Sequence, residues 1–305
     1  MRYTLDYDKY ASLARQAAAE GCVLLRNEQE ALPIREGERA AVFGRAQFHY
    51  YKSGTGSGGM VNAPYVAGIL DGLKESGVAV EESSQEKYRE WLQTHPFDEG
   101  EGWAQEPWSQ EEMPVSREMV QKAADASDLA LVVLGRTAGE DQDNSAAPGS
   151  YLLTREEENL LETVCSVFRR TAVVLNVGNI IDMKWVERYR PQAVLYVWQG
   201  GMEGGRGAAD VLCGRVNPCG KLADTIAADI GDYPSSAHFG DAVRNFYAED
   251  IYVGYRYFET FAPQKVVYPF GFGLSYTRFS ISANVQETDG AGVRLCVRVK
   301  NEGNR

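Results

Sequence analysis

Cysteine and histidine are scarce in this chain of 305 residues. The five cysteines are widely spread and form no CxxC pair, a pattern that argues against a disulfide framework. Cys213 and Cys219 are the one closely spaced pair, with a turn predicted between them. Three histidines are too few for a histidine-rich metal site. We therefore expect neither a metal ion nor another cofactor.

The chain also lacks basic clusters and long apolar runs. Its 31 lysines and arginines are scattered among 43 acidic residues, giving a net charge of −12. Such a surface repels phosphate backbones, so no nucleic-acid partner is expected. No segment approaches the roughly 18 apolar residues of a membrane helix. The polar start lacks the apolar core of a secretory signal, which predicts a cytoplasmic location if Met1 is the native start.

Short apolar runs alternate with helical patterns through most of the chain. Buried strands are predicted at 40–45, 129–136, 171–178 and 193–199. A further strand is predicted at 78–82, and the helices between the strands include one at 64–77. Thr154 and Glu157 form the capping-box pattern of a helix start. This alternation predicts an α/β fold, a mostly parallel sheet covered by helices on both faces.

The pattern changes near the end of the chain. Residues 279–285 (FSISANV) and 293–299 (VRLCVRV) alternate apolar and polar side chains around TDGAG, which predicts a β-hairpin. Two strands alone do not make a stable domain. We therefore assign 1–275 to an α/β sandwich domain and 276–305 to the start of an antiparallel β-sandwich domain, truncated here.

Three long stretches resemble one known family. AAAEGCVLLRNEQEALPI, QGGMEGGRGAADVLCGRVNPCGKLADTI and YPFGFGLSYTRF, in this order, are similar to the sandwich domain of family 3 glycoside hydrolases. The resemblance implies that the second domain is fibronectin type III-like. It also implies a retaining, exo-acting β-glycosidase of β-glucosidase type, which removes terminal sugars from glycosides or oligosaccharides.

The resemblance further implies that two domains each supply one catalytic group. In this family a barrel domain supplies an aspartate nucleophile, and the sandwich domain supplies the general acid/base. Because the sandwich stands first here, the chain resembles the subgroup in which the barrel follows, beyond residue 305. Family members often dimerise, so a homodimer is a further expectation.

An acidic loop follows the strand LALVVLGR. It places Glu140 and Asp143 beyond the carboxyl end of that strand, the edge where open α/β sheets bind ligands. The family's acid/base loop reads G-E-G-x-D-R, which makes Glu140 the acid/base and Asp143 a substrate-binding residue. Asp141 replaces the second glycine and Asn144 the arginine. A general acid needs a raised pKa. The alternative is a solvated acidic loop.

A glycine-rich loop, YYKSGTGSGG, follows the first buried strand. Glycines allow the backbone to approach a ligand closely, and the resemblance implies that Ser57, Ser53 and Lys52 bind the sugar. A phosphate-binding loop is a rival interpretation, but the spacing fits neither common phosphate-loop pattern. A flexible turn is the other alternative.

Arginines and tryptophans complete the candidate site. Arg136 and Arg45 end their strands at the same predicted edge, and we assign Arg136 to substrate binding, with a structural salt bridge as the alternative. Trp103 and Trp108 lie in an acidic segment, 95–114, predicted to be an ordered loop or lid. They could stack on sugar rings or pack the loop.

Two other functions are compatible with the sequence. One is a carbohydrate-binding fragment without turnover of its own, because the barrel is absent. The other is a nucleotide-binding domain, which rests only on the strand order and the glycine loop.

Overall fold

The computed structural model describes residues 4–288 and 292–303. Its helices and strands alternate along most of the chain, as the sequence predicts. The helices are α1 (Tyr7–Gly21), α2 (Ile69–Glu75), α3 (Glu82–Leu92), α4 (Arg117–Asp125), α5 (Arg155–Val167), α6 (Lys184–Tyr189), α7 (Gly204–Leu212) and α8 (Tyr255–Phe261). The strands are β1 (Val23–Asn27), β2 (Arg39–Phe43), β3 (Ala79–Val80), β4 (Leu129–Arg136), β5 (Thr171–Val177), β6 (Ala193–Tyr196), β7 (Ile226–Ala227), β8 (Val266–Tyr268), β9 (Phe279–Thr288) and β10 (Gly292–Asn301).

The first six strands form one sheet in the order β1-β6-β5-β4-β2-β3. Only the contact between β1 and β6 is antiparallel within this sheet; the others are parallel. The chain runs from β2 outward to β3 and then returns to place β4 on the other side of β2. The strand order therefore reverses between β2 and β4, and ligands of open α/β sheets bind outside the carboxyl ends of the strands at such a point.

Apolar side chains of β4 supply two cores, one on each face of the sheet. Leu131 and Val133 pack with apolar residues of α1, α2 and α7. Val132 and Leu134 pack on the opposite face with residues of α3, α4, α5 and α6. Side chains alternate along a strand, so a continuous apolar run fills both faces. Truncating one such leucine to alanine costs about 2–5 kcal/mol. The predicted sandwich of helices on both faces is confirmed.

Small residues set the spacing of helices on one face. A Cβ atom at Gly207 of α7 would lie 2.9 Å from the Cβ atom of Ala18 in α1. At Gly72 of α2 it would lie 2.8 Å from the Cβ atom of Ala209. α7 therefore packs between α1 and α2 at a distance that larger side chains would prevent.

Local signals located some helix starts correctly and others not. Thr154 accepts a hydrogen bond from the Glu157 amide, and the Glu157 carboxylate accepts one from the Thr154 amide, so the predicted capping box is present. The helix expected at 64–77 begins only at Ile69. α3 begins at Glu82, where the sequence suggested a strand, because the Glu81 carboxylate accepts hydrogen bonds from the amides of residues 83 and 84.

The last two strands, β9 and β10, form the predicted antiparallel hairpin, paired from Gly292 with Thr288 to Asn301 with Phe279. Residues 289–291 of its predicted turn lie outside the described residues. The assignment of 276–305 to a fibronectin type III-like domain stays a prediction. None of the described helices is long and apolar enough to cross a membrane.

Candidate active site at the carboxyl edge of the sheet

Two loops meet beyond the carboxyl ends of β2 and β4, at the reversal of strand order. The first is the glycine-serine loop, residues 50–59, and the second is the Glu140 turn, residues 139–142. The Thr55 amide donates to the carbonyl of Ala138 at 2.7 Å, and the Thr55 hydroxyl donates to the carbonyl of Glu140 at 3.1 Å. A Cβ atom at Gly54 would lie 2.0 Å from the Ala138 oxygen. Glycine is therefore required where the two loops touch.

The Glu140 carboxylate is held by the glycine-serine loop. Its Oε2 atom accepts hydrogen bonds from the Ser57 amide at 2.9 Å and from the Ser57 hydroxyl at 2.8 Å. Both residues are exposed. A Cβ atom at Gly56, whose φ is +71°, would lie 2.4 Å from the Glu140 Cβ atom. The structure thus brings Glu140 and Ser57 together, as the sequence suggested.

The same hydrogen bonds determine the acidity of Glu140. The Ser57 amide and then the Ser57 hydroxyl stabilise the ionised carboxylate and lower the pKa of Glu140. This direction is opposite to the raised pKa expected for a general acid. The reason is that the side chain is exposed in this chain, so burial contributes little against the hydrogen bonds.

Asp141 adopts a backbone conformation that favours glycine. Its φ is +60°, in the left-handed region that aspartate tolerates better than most side chains. Its carboxylate accepts a hydrogen bond from Trp103 Nε1 at 3.2 Å. Aspartate in place of the family's glycine is therefore compatible with the turn, and the exposed Trp103 packs against the turn. The Trp108 carbonyl accepts a hydrogen bond from the Thr137 amide at 2.9 Å, two residues before the turn.

Lys52 and Ser53 lie at the base of the glycine-serine loop. Lys52 Nζ donates to the carbonyls of Gly59 and Val61, each at 3.1 Å, and reaches the Ser53 hydroxyl at 3.4 Å. These contacts close the loop on itself and counter the interpretation of a flexible turn. Sugar binding by Lys52 and Ser53 stays a prediction.

Arg136 lies in the interior, which gives no support to the substrate contact assigned to it. The side chain has no exposed surface, and its guanidinium donates to both carboxylate oxygens of Glu157, at 2.5 and 2.6 Å. It also donates to the carbonyl of Ser150 at 3.2 Å. The salt-bridge alternative is the one that these contacts favour. Arg45 is likewise buried and donates to backbone carbonyls of the 95–114 loop.

A cavity of about 540 Å³ opens beside the Glu140 turn. Asp143 and Asn144 line it on one side, and Tyr151, Tyr233 and Phe239 line it with mostly apolar surface. Asp143 is exposed at its rim, while Asn144 donates to the carbonyl of residue 180 and accepts from the residue 150 hydroxyl. The cavity combines residues 90 positions apart, so no local pattern revealed it.

Sequence reasoning also missed Gln142, whose amide bonds to the 95–114 loop. Its partners lie on a loop with no regular pattern, so no sequence signal identified the contact. Among residues 4–288 and 292–303, no group of three or more metal-ligating side chains is close enough to hold a metal ion.

These features define an α/β sandwich domain that presents a carboxylate at a strand-order reversal. The model of the "Glycosyl hydrolase family 3 C-terminal domain" matches residues 22–276. The "Beta-glucosidase" of Ruminococcus albus is 54% identical over 299 residues, which are 98% of this chain and 31% of that protein. The chain belongs to glycosyl hydrolase family 3.

Solved structures agree with this assignment. The structure of a β-glucosidase from Paenibacillus barengoltzii is 52% identical, with a TM-score of 0.94 over 99% of this chain and 33% of that one. β-Glucosidase 3B from Thermotoga neapolitana, in complex with glucose, is 36% identical, with a TM-score of 0.88 over 99% of this chain and 43% of that one. The chain therefore spans about a third to two fifths of the length of these relatives.

Proposed function

We propose that the chain supplies the general acid/base, Glu140, of a retaining, exo-acting β-glycosidase of β-glucosidase type. The observation that carries this proposal is the placement of Glu140. Its carboxylate is exposed at the strand-order reversal and is fixed by Ser57 through one oxygen, Oε2. No donor among the described residues reaches Oε1 within hydrogen-bond distance, so this oxygen is available to a substrate. The β-glucosidase relatives support the substrate class.

The reaction needs a second carboxylate, for which a barrel domain outside this chain is the proposed source. In the first step, that carboxylate attacks the anomeric carbon while protonated Glu140 gives its proton to the departing glycosidic oxygen. In the second step, ionised Glu140 takes a proton from water, whose oxygen attacks the anomeric carbon and displaces the enzyme carboxylate. The free sugar leaves, and Glu140 is again protonated.

The lowered pKa of Glu140 in this chain is consistent with a missing partner domain. A docked barrel would bury the carboxyl group and bring a second carboxylate near it, and both effects raise a carboxyl pKa. Without the barrel, Glu140 is ionised at neutral pH, and the proposed source of the nucleophile is lacking. We therefore expect the 305-residue chain alone to be inactive toward glycosides.

Glu140→Gln in the full-length enzyme tests the acid/base role. Turnover of cellobiose, a substrate with a poor leaving group, should fall by 100-fold or more, within the usual range of about 10²–10⁴ for general acid–base catalysis. The first step with p-nitrophenyl β-D-glucoside should change far less, because p-nitrophenolate leaves without a proton. Azide should restore turnover, since it attacks the glycosyl-enzyme without a general base and gives a β-glycosyl azide.

Glu86→Gln is the matched control, because Glu86 is an exposed glutamate of α3 on the surface of the domain. It should leave both substrates unaffected. An equal loss on both substrates for Glu140→Gln, without azide rescue, would reject the acid/base role.

Sugar binding without turnover is the second candidate, favoured because no neighbouring carboxylate among the described residues perturbs the pKa of Glu140. Calorimetry with glucose, xylose and N-acetylglucosamine on the 305-residue chain addresses it. Binding at millimolar concentrations would show that the 305-residue chain holds sugar by itself. No heat of binding at these concentrations would reject this candidate. The homodimer and the cytoplasmic location remain predictions.

A further inference from the structure

The 95–114 loop contacts the Glu140 turn through side chains on both sides. Gln142 Nε2 donates to the backbone oxygens of Ala104 and Glu106, each at 2.5 Å. Trp103 Nε1 donates to Asp141 Oδ2 at 3.2 Å. Three hydrogen bonds thus join the tip of this loop to the two residues that directly follow the acid/base glutamate.

The base of the same loop is fixed to the sheet. Arg45 is 4% exposed and lies two residues after the end of β2. Its guanidinium donates to the carbonyl of Glu111 at 2.7 Å and to that of His95 at 2.9 Å, near the two ends of the loop. Within the loop, the Gln110 amide bonds both the N–H and the carbonyl of Asp98. Hydrogen bonds therefore hold the 95–114 loop both at its ends and within it.

The Glu140 turn depends on support from both sides. Thr55 holds one side through Ala138 and the Glu140 carbonyl. On the other side, Gln142 is the side chain that donates to two backbone oxygens of a separate element. Gly139 enters the turn with a φ of +143°, a backbone conformation that favours glycine. Loss of either support would let the glutamate change position.

We propose that the 95–114 loop positions Glu140 for proton transfer and that Gln142 is the positioning residue through which it acts. This inference rests on the proposed function of Glu140. A misplacement of about 1 Å in a reacting group can cost about 100-fold in rate. Gln142 touches no reacting atom, so its effect passes entirely through the placement of the neighbouring carboxyl group.

The chemistry of the contact requires an amide donor. One –NH₂ group carries two N–H bonds, which match the two carbonyl oxygens of Ala104 and Glu106. Gln142→Glu keeps the size of the side chain but turns an ionised carboxylate toward these two oxygens. Gln142→Ala removes the contact without repulsion. Both variants should therefore release the turn, and the glutamate variant should be the more severely affected.

The test measures kcat/KM of the full-length enzyme for cellobiose and for p-nitrophenyl β-D-glucoside. Gln142→Ala should lower kcat/KM for cellobiose by about 100-fold, with a much smaller loss for the aryl glucoside. This difference separates misplacement of the acid from a general structural defect, which would lower both values alike. Gln121→Ala is the matched control, because the Gln121 amide bonds only Asp125 on the exposed face of α4 among the described residues.

Two further measurements keep the proposal independent of folding and of the reaction assignment. Trp103→Phe removes the hydrogen bond from the exposed indole ring to Asp141. It should lower kcat/KM for cellobiose more than for the aryl glucoside, but by less than Gln142→Ala does. Hydrogen exchange of peptides covering 137–144 should be faster in Gln142→Ala than in the wild-type enzyme, whatever the catalytic role of Glu140.

The outcomes are distinct for the two proposals. If Glu140→Gln abolishes cellobiose turnover but both Gln142 variants keep wild-type kcat/KM, positioning by Gln142 is wrong and the acid/base proposal stands. Equal losses on both substrates in Gln142→Ala would likewise overturn positioning. If Glu140→Gln itself retains activity, the proposed function fails. Unchanged hydrogen exchange at 137–144 would overturn the positioning inference in that case too.

Discussion

The buried pair of Arg136 and Glu157 allows a quantitative prediction about the support of β4. Arg136 has no exposed surface and Glu157 is 4% exposed, so both charges are removed from water. Taking away one charge of such a pair leaves the other unpaired in the interior, which typically costs about 3–5 kcal/mol. We expect Glu157→Gln to lower the free energy of unfolding by this amount.

Two variants separate the charge from other roles of Glu157. Glutamine keeps an acceptor oxygen for the Thr154 amide, so the capping box is largely retained. Thr154→Ala measures the cap alone and should cost about 1 kcal/mol. The double variant Arg136→Met with Glu157→Leu replaces both charges by apolar groups and should be far closer to wild type than Glu157→Gln, because buried pairs exchanged for packed apolar residues are often neutral.

Urea unfolding of the 305-residue chain, followed by circular dichroism, measures these differences. Steady-state kinetics of Arg136→Met in the full-length enzyme then examines the substrate contact predicted from the sequence. A cost below about 1 kcal/mol for Glu157→Gln would refute the reasoning from the buried charge. A raised KM in Arg136→Met with unchanged stability would restore the substrate-binding assignment.

Three further predictions concern the site and its surroundings. Gly56→Ala should reduce cellobiose turnover by about 100-fold by displacing Glu140, whereas Gly58→Ala, whose new methyl group meets nothing closer than 4.0 Å, should not. Ser57→Ala removes one stabilising donor and should move the alkaline limb of the kcat/KM profile to higher pH, with the remaining amide limiting the shift. Burial raises the pKa of Glu112 to about 7, so the folded state binds more protons than the unfolded state between about pH 4.3 and 7. The free energy of unfolding should therefore fall by up to about 4 kcal/mol as pH rises through that window, and Glu112→Gln should flatten this dependence.

Local patterns were sufficient for much of the architecture. The run 129–134 is apolar at every position and is buried throughout, and Thr154 with Glu157 defines a helix start by adjacent hydrogen bonds. The helix α3 was missed because its cap is a glutamate, Glu81, which is not among the preferred N-cap residues. Periodicity and caps are properties of neighbouring residues, so the sequence displays them directly.

Local sequence patterns predicted only part of the candidate site. Glu140 and Ser57 stood out because each lies in a loop after a buried strand, and parallel strands bring such loops to one edge. Arg136 ends its strand in the same manner, yet its side chain turns inward to Glu157. Which way a side chain points at the end of a strand depends on its packing partners, and these come from distant parts of the chain.

By itself, the sequence determined the α/β class, the family resemblance and the loop that carries Glu140, since each depends on order and spacing along the chain. Only the tertiary structure decided that Ser57 holds the Glu140 carboxylate and lowers its pKa. It alone also showed that Gln142 meets the 95–114 loop. The physical reason is that hydrogen bonds and burial depend on distances between segments 36 to 83 residues apart, which folding creates and sequence order does not record.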